Sequence, residues 1–218
     1  MRRLLWRQTV KGNLLALAVF TTSACFSVKS DPALWQVSKD PDSGRLLMPV
    51  GATKLIFDII QELQTEKLKD EAHRLIMIEE SLPLVKSKPK RLQLTPTEIA
   101  KSLPGTNKEC IRNLYRGNTQ RYFVPKVENV PSTVEIVSIG EINRLMHPNG
   151  WSSLAEQRPG VAALISVARP GPCQDEKTAL LYLTVTSAES VTSLLMLTEF
   201  KDNHWSIKQK INLTNVDH

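Results

Sequence analysis

Residues 178–213 read TALLYLTVTSAESVTSLLMLTEFKDNHWSIKQKINL, and this stretch decides the fold. Residues 178–186 and 191–200 are rich in Leu, Val, Thr and Tyr, types that fit a pleated, half-buried surface. Residues 204–213 alternate loosely, with Trp205, Ile207 and Ile211 on one side. Residues 187–190 and 201–203 are gaps of turn length, and short gaps join antiparallel neighbours. With the apolar run 161–168 ahead of them, these segments predict an antiparallel sheet of about four strands, its one face covered by earlier helices. The fold class is α+β.

Three explicit helix starts precede the sheet. Thr95-Pro96-Thr97-Glu98 is a capping box with proline at the first helical position, and Leu94 and Ile99 sit where a hydrophobic staple closes. Thr106-Asn107-Lys108-Glu109 repeats the box, and its helix runs to about Gly117. Ser138-Ile139-Gly140-Glu141 is the third, stapled by Val137 and Ile142, and that helix ends before Pro148. Residues 53–82 predict a long N-terminal helical segment. Ile56, Ile59, Ile60 and Leu63 share one face, while Leu68, Ala72, Leu75 and Ile76 share a rotated one. Asp70 and Arg74, at i and i+4, support its second half. Glu62, Glu66, Asp70, Glu71, Glu79 and Glu80 read as a solvated charged face.

The first 25 residues read as an export signal. Arg2, Arg3, Arg7 and Lys11 make a basic start, residues 14–20 are apolar, and Thr22-Ser23-Ala24 precede Cys25. The apolar run is too short for a membrane-spanning helix, which needs roughly 20 residues. Cleavage after Ala24 makes Cys25 the first residue, the place where a bacterial lipoprotein carries its lipid. Thr22 departs from the leucine usual in such signals and fits an ordinary signal-peptidase site equally well. The expected organisation is therefore residues 1–24 as signal peptide, 25–52 as a proline-rich tether, and 53–218 as one α+β domain, or that domain with 53–90 as a helical arm.

Removing residues 1–24 takes away four basic and no acidic residues, so the formal charge falls from +6 to +2 over the 194 that remain. A nearly neutral domain has no global attraction for nucleic acid. The run Lys86, Lys88, Lys90 and Arg91 reads as a solvated linker. Export also changes the meaning of the three cysteines. With Cys25 lipidated, Cys110 and Cys173 are an even pair in an oxidising compartment and are expected to form a disulfide. A Cys110–histidine nucleophile is the competing use of that thiol, and a disulfide removes it.

No catalytic residue, metal-ligand set or cofactor motif stands out. His73, His147, His204 and His218 are scattered, with none at ligand spacing from another. No Gly-x-Ser-x-Gly, P-loop or dinucleotide fingerprint occurs. Residues 94–124 resemble a helix-turn-helix, with Ile111 and Leu114 inward, Arg112 and Arg116 exposed, and 117–124 as a wing. The turn Pro104-Gly105-Thr106 and a spacing one residue long depart from that pattern.

Trp151 with Leu154 and Pro159-Gly160, then residues 166–169, 177–182 and the hairpin 197–207, are similar to a group of uncharacterised secreted bacterial proteins with a C-terminal antiparallel β-meander. The likeness covers residues 151–213, under a third of the chain, and implies no activity. The expected function is that of an exported envelope protein, periplasmic or lipid-anchored, with a binding or structural role. Its expected partners are the membrane, through Cys25, and an envelope protein or the cell wall. A DNA-binding regulator and a periplasmic enzyme are the alternatives.

Overall fold

A computed structural model describes residues 32–67, 74–84, 94–125 and 130–213. Residues 1–24, expected as a signal peptide, Cys25, the run 86–91, His73 and His218 lie outside the described residues. The chain is α+β, and the described residues hold two sheets, a two-stranded one and a mixed one of seven strands. After a 3-10 turn at Pro32–Trp35, β1 (Ser38–Lys39) and β2 (Leu46–Leu47) form a small hairpin. Asp40 closes its turn by accepting the Asp42 amide at 2.9 Å. Helix α1 (Val50–Lys67) leads to β3 (Arg74–Ile78). Two helices follow, α2 (Pro96–Ser102) and α3 (Lys108–Gly117), and then β4 (Val134–Val137). Helices α4 (Ile139–Leu145) and α5 (Trp151–Gln157) lead to β5 (Val161–Val167). The chain closes with β6 (Gly171–Pro172), β7 (Thr178–Thr186), β8 (Val191–Lys201) and β9 (His204–Asn212).

The large sheet runs β4-β3-β5-β7-β8-β9, with β6 beside β7. Strand β3 is parallel to both β4 and β5, and all other pairs are antiparallel. The segments expected as a four-strand meander, β5, β7, β8 and β9, are therefore part of a larger mixed sheet. The expectation of a helix through residue 82 fails at β3. The apolar run Leu75-Ile76-Met77-Ile78 is short and buried, and periodicity alone does not separate a buried strand from a buried helical segment. Arg74 pairs with Glu135 across the sheet at 3.4 Å, and Asp70 lies outside the described residues.

Residues 34–52 are not a free tether. Met48 is 1% exposed and donates its amide to the Phe123 carbonyl, and α1 begins at Val50, ahead of the expected start at 53. Nor do 53–67 form a separate arm, because Leu55, Ile56, Ile59 and Ile60 enter the main core.

Helices cover both faces, not one. On one face α1 packs against Leu75, Met77, Ile165, Leu181, Leu183 and Met196. On the other, α2 and α3 pack against Leu180, Tyr182, Leu195 and Leu197, while α4 and α5 meet Ile76 and Leu164. Successive residues of β7 therefore enter opposite cores, which is why its middle, Ala179-Leu180-Leu181-Tyr182-Leu183, is apolar without alternation.

The free edge of β9 is capped by side chains. The amides of Trp205 and Ile207 donate to Asp58 and Glu62, each at 2.9 Å. Two residues along a strand and four along a helix both advance roughly 6–7 Å, so the spacings match. Glu62 is thus an acceptor for the sheet and not part of a solvated face.

Candidate functional site

The site that emerges is the outer surface of α2 and α3. Thr95 caps α2 with the full box: the Glu98 amide donates to Thr95 Oγ1 at 3.3 Å, and the Thr95 amide donates to Glu98 Oε2 at 2.6 Å. These bonds hold the Glu98 carboxyl below its usual range, the Thr95 amide contributing most. The second cap differs from expectation. Asn107, not Thr106, starts α3, because its side-chain carbonyl reaches two amides, those of Glu109 and Cys110, each at 2.9 Å. The third cap keeps Ser138, but Glu141 turns to Arg158 at 3.2 Å and does not return to the cap.

Helix α3 is amphipathic. Cys110, Ile111, Leu114 and Gly117 are buried, and Ile111 also borders the cleft toward α2. Strand β6 approaches so closely that a Cβ on Gly171 would overlap the Leu114 amide and the Cys110 carbonyl. Cys110 and Cys173 stand at disulfide distance, Cα to Cα 4.3 Å, and both are buried. Asn113 Nδ2 donates to the Pro172 carbonyl at 2.7 Å. At the helix end the fully buried Asn118 donates to the Leu114 and Arg169 carbonyls and accepts the Arg169 amide, each at 2.7 Å. The two expected bridge residues therefore meet. Gly171 and Asn118 carried no signal in the sequence beyond a glycine and an asparagine in turns.

The outward side of α3 faces α2 across a cleft of about 590 Å³, within the range of small-ligand and peptide-anchor pockets. Pro96, Thr97 and Ala100 line one side, and Lys108, Ile111, Arg112, Tyr115 and Arg116 the other. Tyr115 donates its hydroxyl to the Leu94 carbonyl at 2.6 Å. Burial first, and the Glu98 carboxylate second, push the phenol above its ordinary value, so it stays a neutral donor. Arg112 pairs with Glu109 at 3.1 Å. Among the described residues Lys108 and Arg116 have no acidic partner.

The remaining expectations fall elsewhere. The segment expected as a wing is built into the core: Phe123 bridges Leu47 and Glu80, Arg121 pairs with Glu80 at 2.6 Å, and Tyr122 is buried. That segment fills the carboxyl ends of β3 and β5, where open parallel sheets commonly take ligands. His204 begins β9 and stands 3.5 Å from Asp58, which also accepts from Lys54 at 2.8 Å. His147 follows α4. Among the described residues no three His, Cys, Asp or Glu side chains group as a metal site, and no helix is long and apolar enough to cross a membrane. Comparison with protein-family models, curated proteins and solved structures finds no match to this chain.

Proposed function

We propose that this chain is an exported bacterial envelope protein, anchored through a lipid on Cys25, whose α+β domain works as a binding module. The observation that carries the reading is the buried pairing of Cys110 with Cys173, because structural disulfides persist in oxidising compartments. The basic, apolar and small-residue order of residues 1–25 supports the same reading from the other end of the chain. Once exported, the domain carries the α2–α3 cleft on its surface as the place to hold a partner.

Cell fractionation with intact-mass measurement tests this. The expected product begins at Cys25, carries added lipid mass and sits in the membrane fraction, and Cys25→Ser releases it. A full-length cytoplasmic product beginning at Met1 overturns the proposal. The DNA-binding alternative rests on the exposed Arg112 and Arg116, and duplex binding that weakens steeply with salt would favour it.

A further inference from the structure

We propose that the α2–α3 groove docks an acidic amphipathic helix of a partner protein. The inference goes beyond export and does not rest on it, because the groove belongs to the folded domain wherever that domain resides.

Shape, floor and charge point to the same occupant. Helices α2 and α3 flank a cleft of about 590 Å³, and an amphipathic helix lays its apolar face into an apolar groove of this kind. The floor is hydrocarbon: Ala100 on α2, with Ile111 and the ring of Tyr115 on α3. The one polar atom of that floor, the Tyr115 hydroxyl, already donates to Leu94. An incoming apolar side chain therefore leaves the Tyr115 hydroxyl paired, whereas a phosphate or a base edge meets hydrocarbon on the floor and donors only from the basic residues beside it.

The rim is basic. Lys108, Arg112 and Arg116 stand at i, i+4 and i+8, a row of about 12 Å along one side of the channel. Arg112 shares an exposed pair with Glu109, the weak kind of ion pair, and the other two have no acidic partner among the described residues. The acid nearest this rim on α2, Glu98, is turned into its own helix cap by Thr95. The unmatched positive row calls for Asp or Glu along one flank of the occupant, at helical spacing, beside its apolar stripe. A flat anionic bilayer meets the rim but leaves the channel empty.

The wall is also held in place beforehand. The Cys110–Cys173 pairing and the close approach of Gly171 fix α3 to the sheet, so the partner need not order it on binding.

The test uses the folded protein and synthetic helices of roughly 18 residues, long enough to hold helical structure. One peptide carries a Leu stripe at i, i+3, i+4 and i+7 flanked by Glu. A second replaces each Glu by Lys, and a third scrambles the order. Titration calorimetry and amide shifts report binding, with duplex DNA and anionic vesicles as further probes. The Glu peptide is expected to bind, to shift amides of α2 and α3, and to weaken as salt is raised. Arg116→Glu and Lys108→Glu are each expected to weaken it at least about threefold, and to improve binding of the Lys peptide. Ala100→Glu, at an exposed position, is expected to weaken it by a similar or larger factor with the melting curve unchanged. The proposal is overturned if the Glu peptide fails to bind at about 1 mM, or binds all three variants as it binds the parent. Preference for the Lys peptide, for duplex DNA or for vesicles overturns it equally.

Discussion

At the scale of single residues, much of this fold depends on side chains that satisfy main-chain groups. Thr95, Asn107 and Ser138 each accept an amide at a helix start, where the first turn has no partner of its own. The box at Thr95 has a consequence for pH. Glu98 has its carboxyl held low in the folded chain, so its contribution is complete above its unfolded value, about 4.3. It is lost as pH falls through the lower folded value. Glu98→Gln is therefore expected to lower stability at neutral pH and to flatten the acid limb of the stability curve. Urea midpoints measured from neutral pH downward check this, and identical acid limbs for the two proteins refute it. Asp40 is held low in the same way, first by the Asp42 amide, and remains as a shared background in both proteins.

At the scale of elements, the joint between α1 and β9 is the one most open to test. An exposed sheet edge invites pairing with other chains. Here Asp58 and Glu62 occupy two of its amides, and Asp58 also holds Lys54. Asp58→Ala leaves the Trp205 amide without its charged acceptor, at an expected cost of about 1.5–3 kcal/mol, since bonds to ionised groups are the strong ones. Hydrogen exchange separates this from general loosening. The Trp205 amide is expected to exchange much faster in the variant while the amides of β7 keep their protection. Unchanged exchange at Trp205 removes the capping role.

At the scale of the whole molecule, the layers are held by a sheet with both faces buried, and Cys110–Cys173 ties the outer layer to it across 63 residues of sequence. Opening that link frees a long loop in the unfolded chain, and the entropy model assigns about 4 kcal/mol to it, with roughly 2–4 observed in practice. Reduction is expected to lower the unfolding free energy by that amount, read from urea curves as a lower midpoint, and Cys110→Ser with Cys173→Ser to reproduce the effect with no further response to reductant. Equal midpoints with and without reductant would mean that the thiols are not bridged. Because Leu180 and Tyr182 face one core and Leu181 and Leu183 the other, the layers share β7 and are expected to unfold together in that experiment.

The sequence by itself determined what depends on neighbours along the chain. The capping box at Thr95 needs only residues 95–98, and the hairpin between β8 and β9 needs only the turn Asp202-Asn203, where both residues take positive φ. The meander was legible for the same reason: short gaps leave a strand little choice of partner. The cysteine pair was legible by count together with the expectation of export, although distance along the chain said nothing of its geometry. Tertiary structure alone decided the rest. Whether residues 74–78 form a strand depends on β4 and β5 lying beside them, their paired residues 59 or more positions away, and local propensity carries no trace of that pairing. Whether Met48 is tether or core depends on Phe123. Whether Glu62 faces water or an amide depends on Ile207. The groove belongs to the same class. Ala100, Ile111 and Tyr115 read as parts of two separate short helices, and only the packing of both on β7 and β8 turns them into one apolar floor beside a basic rim.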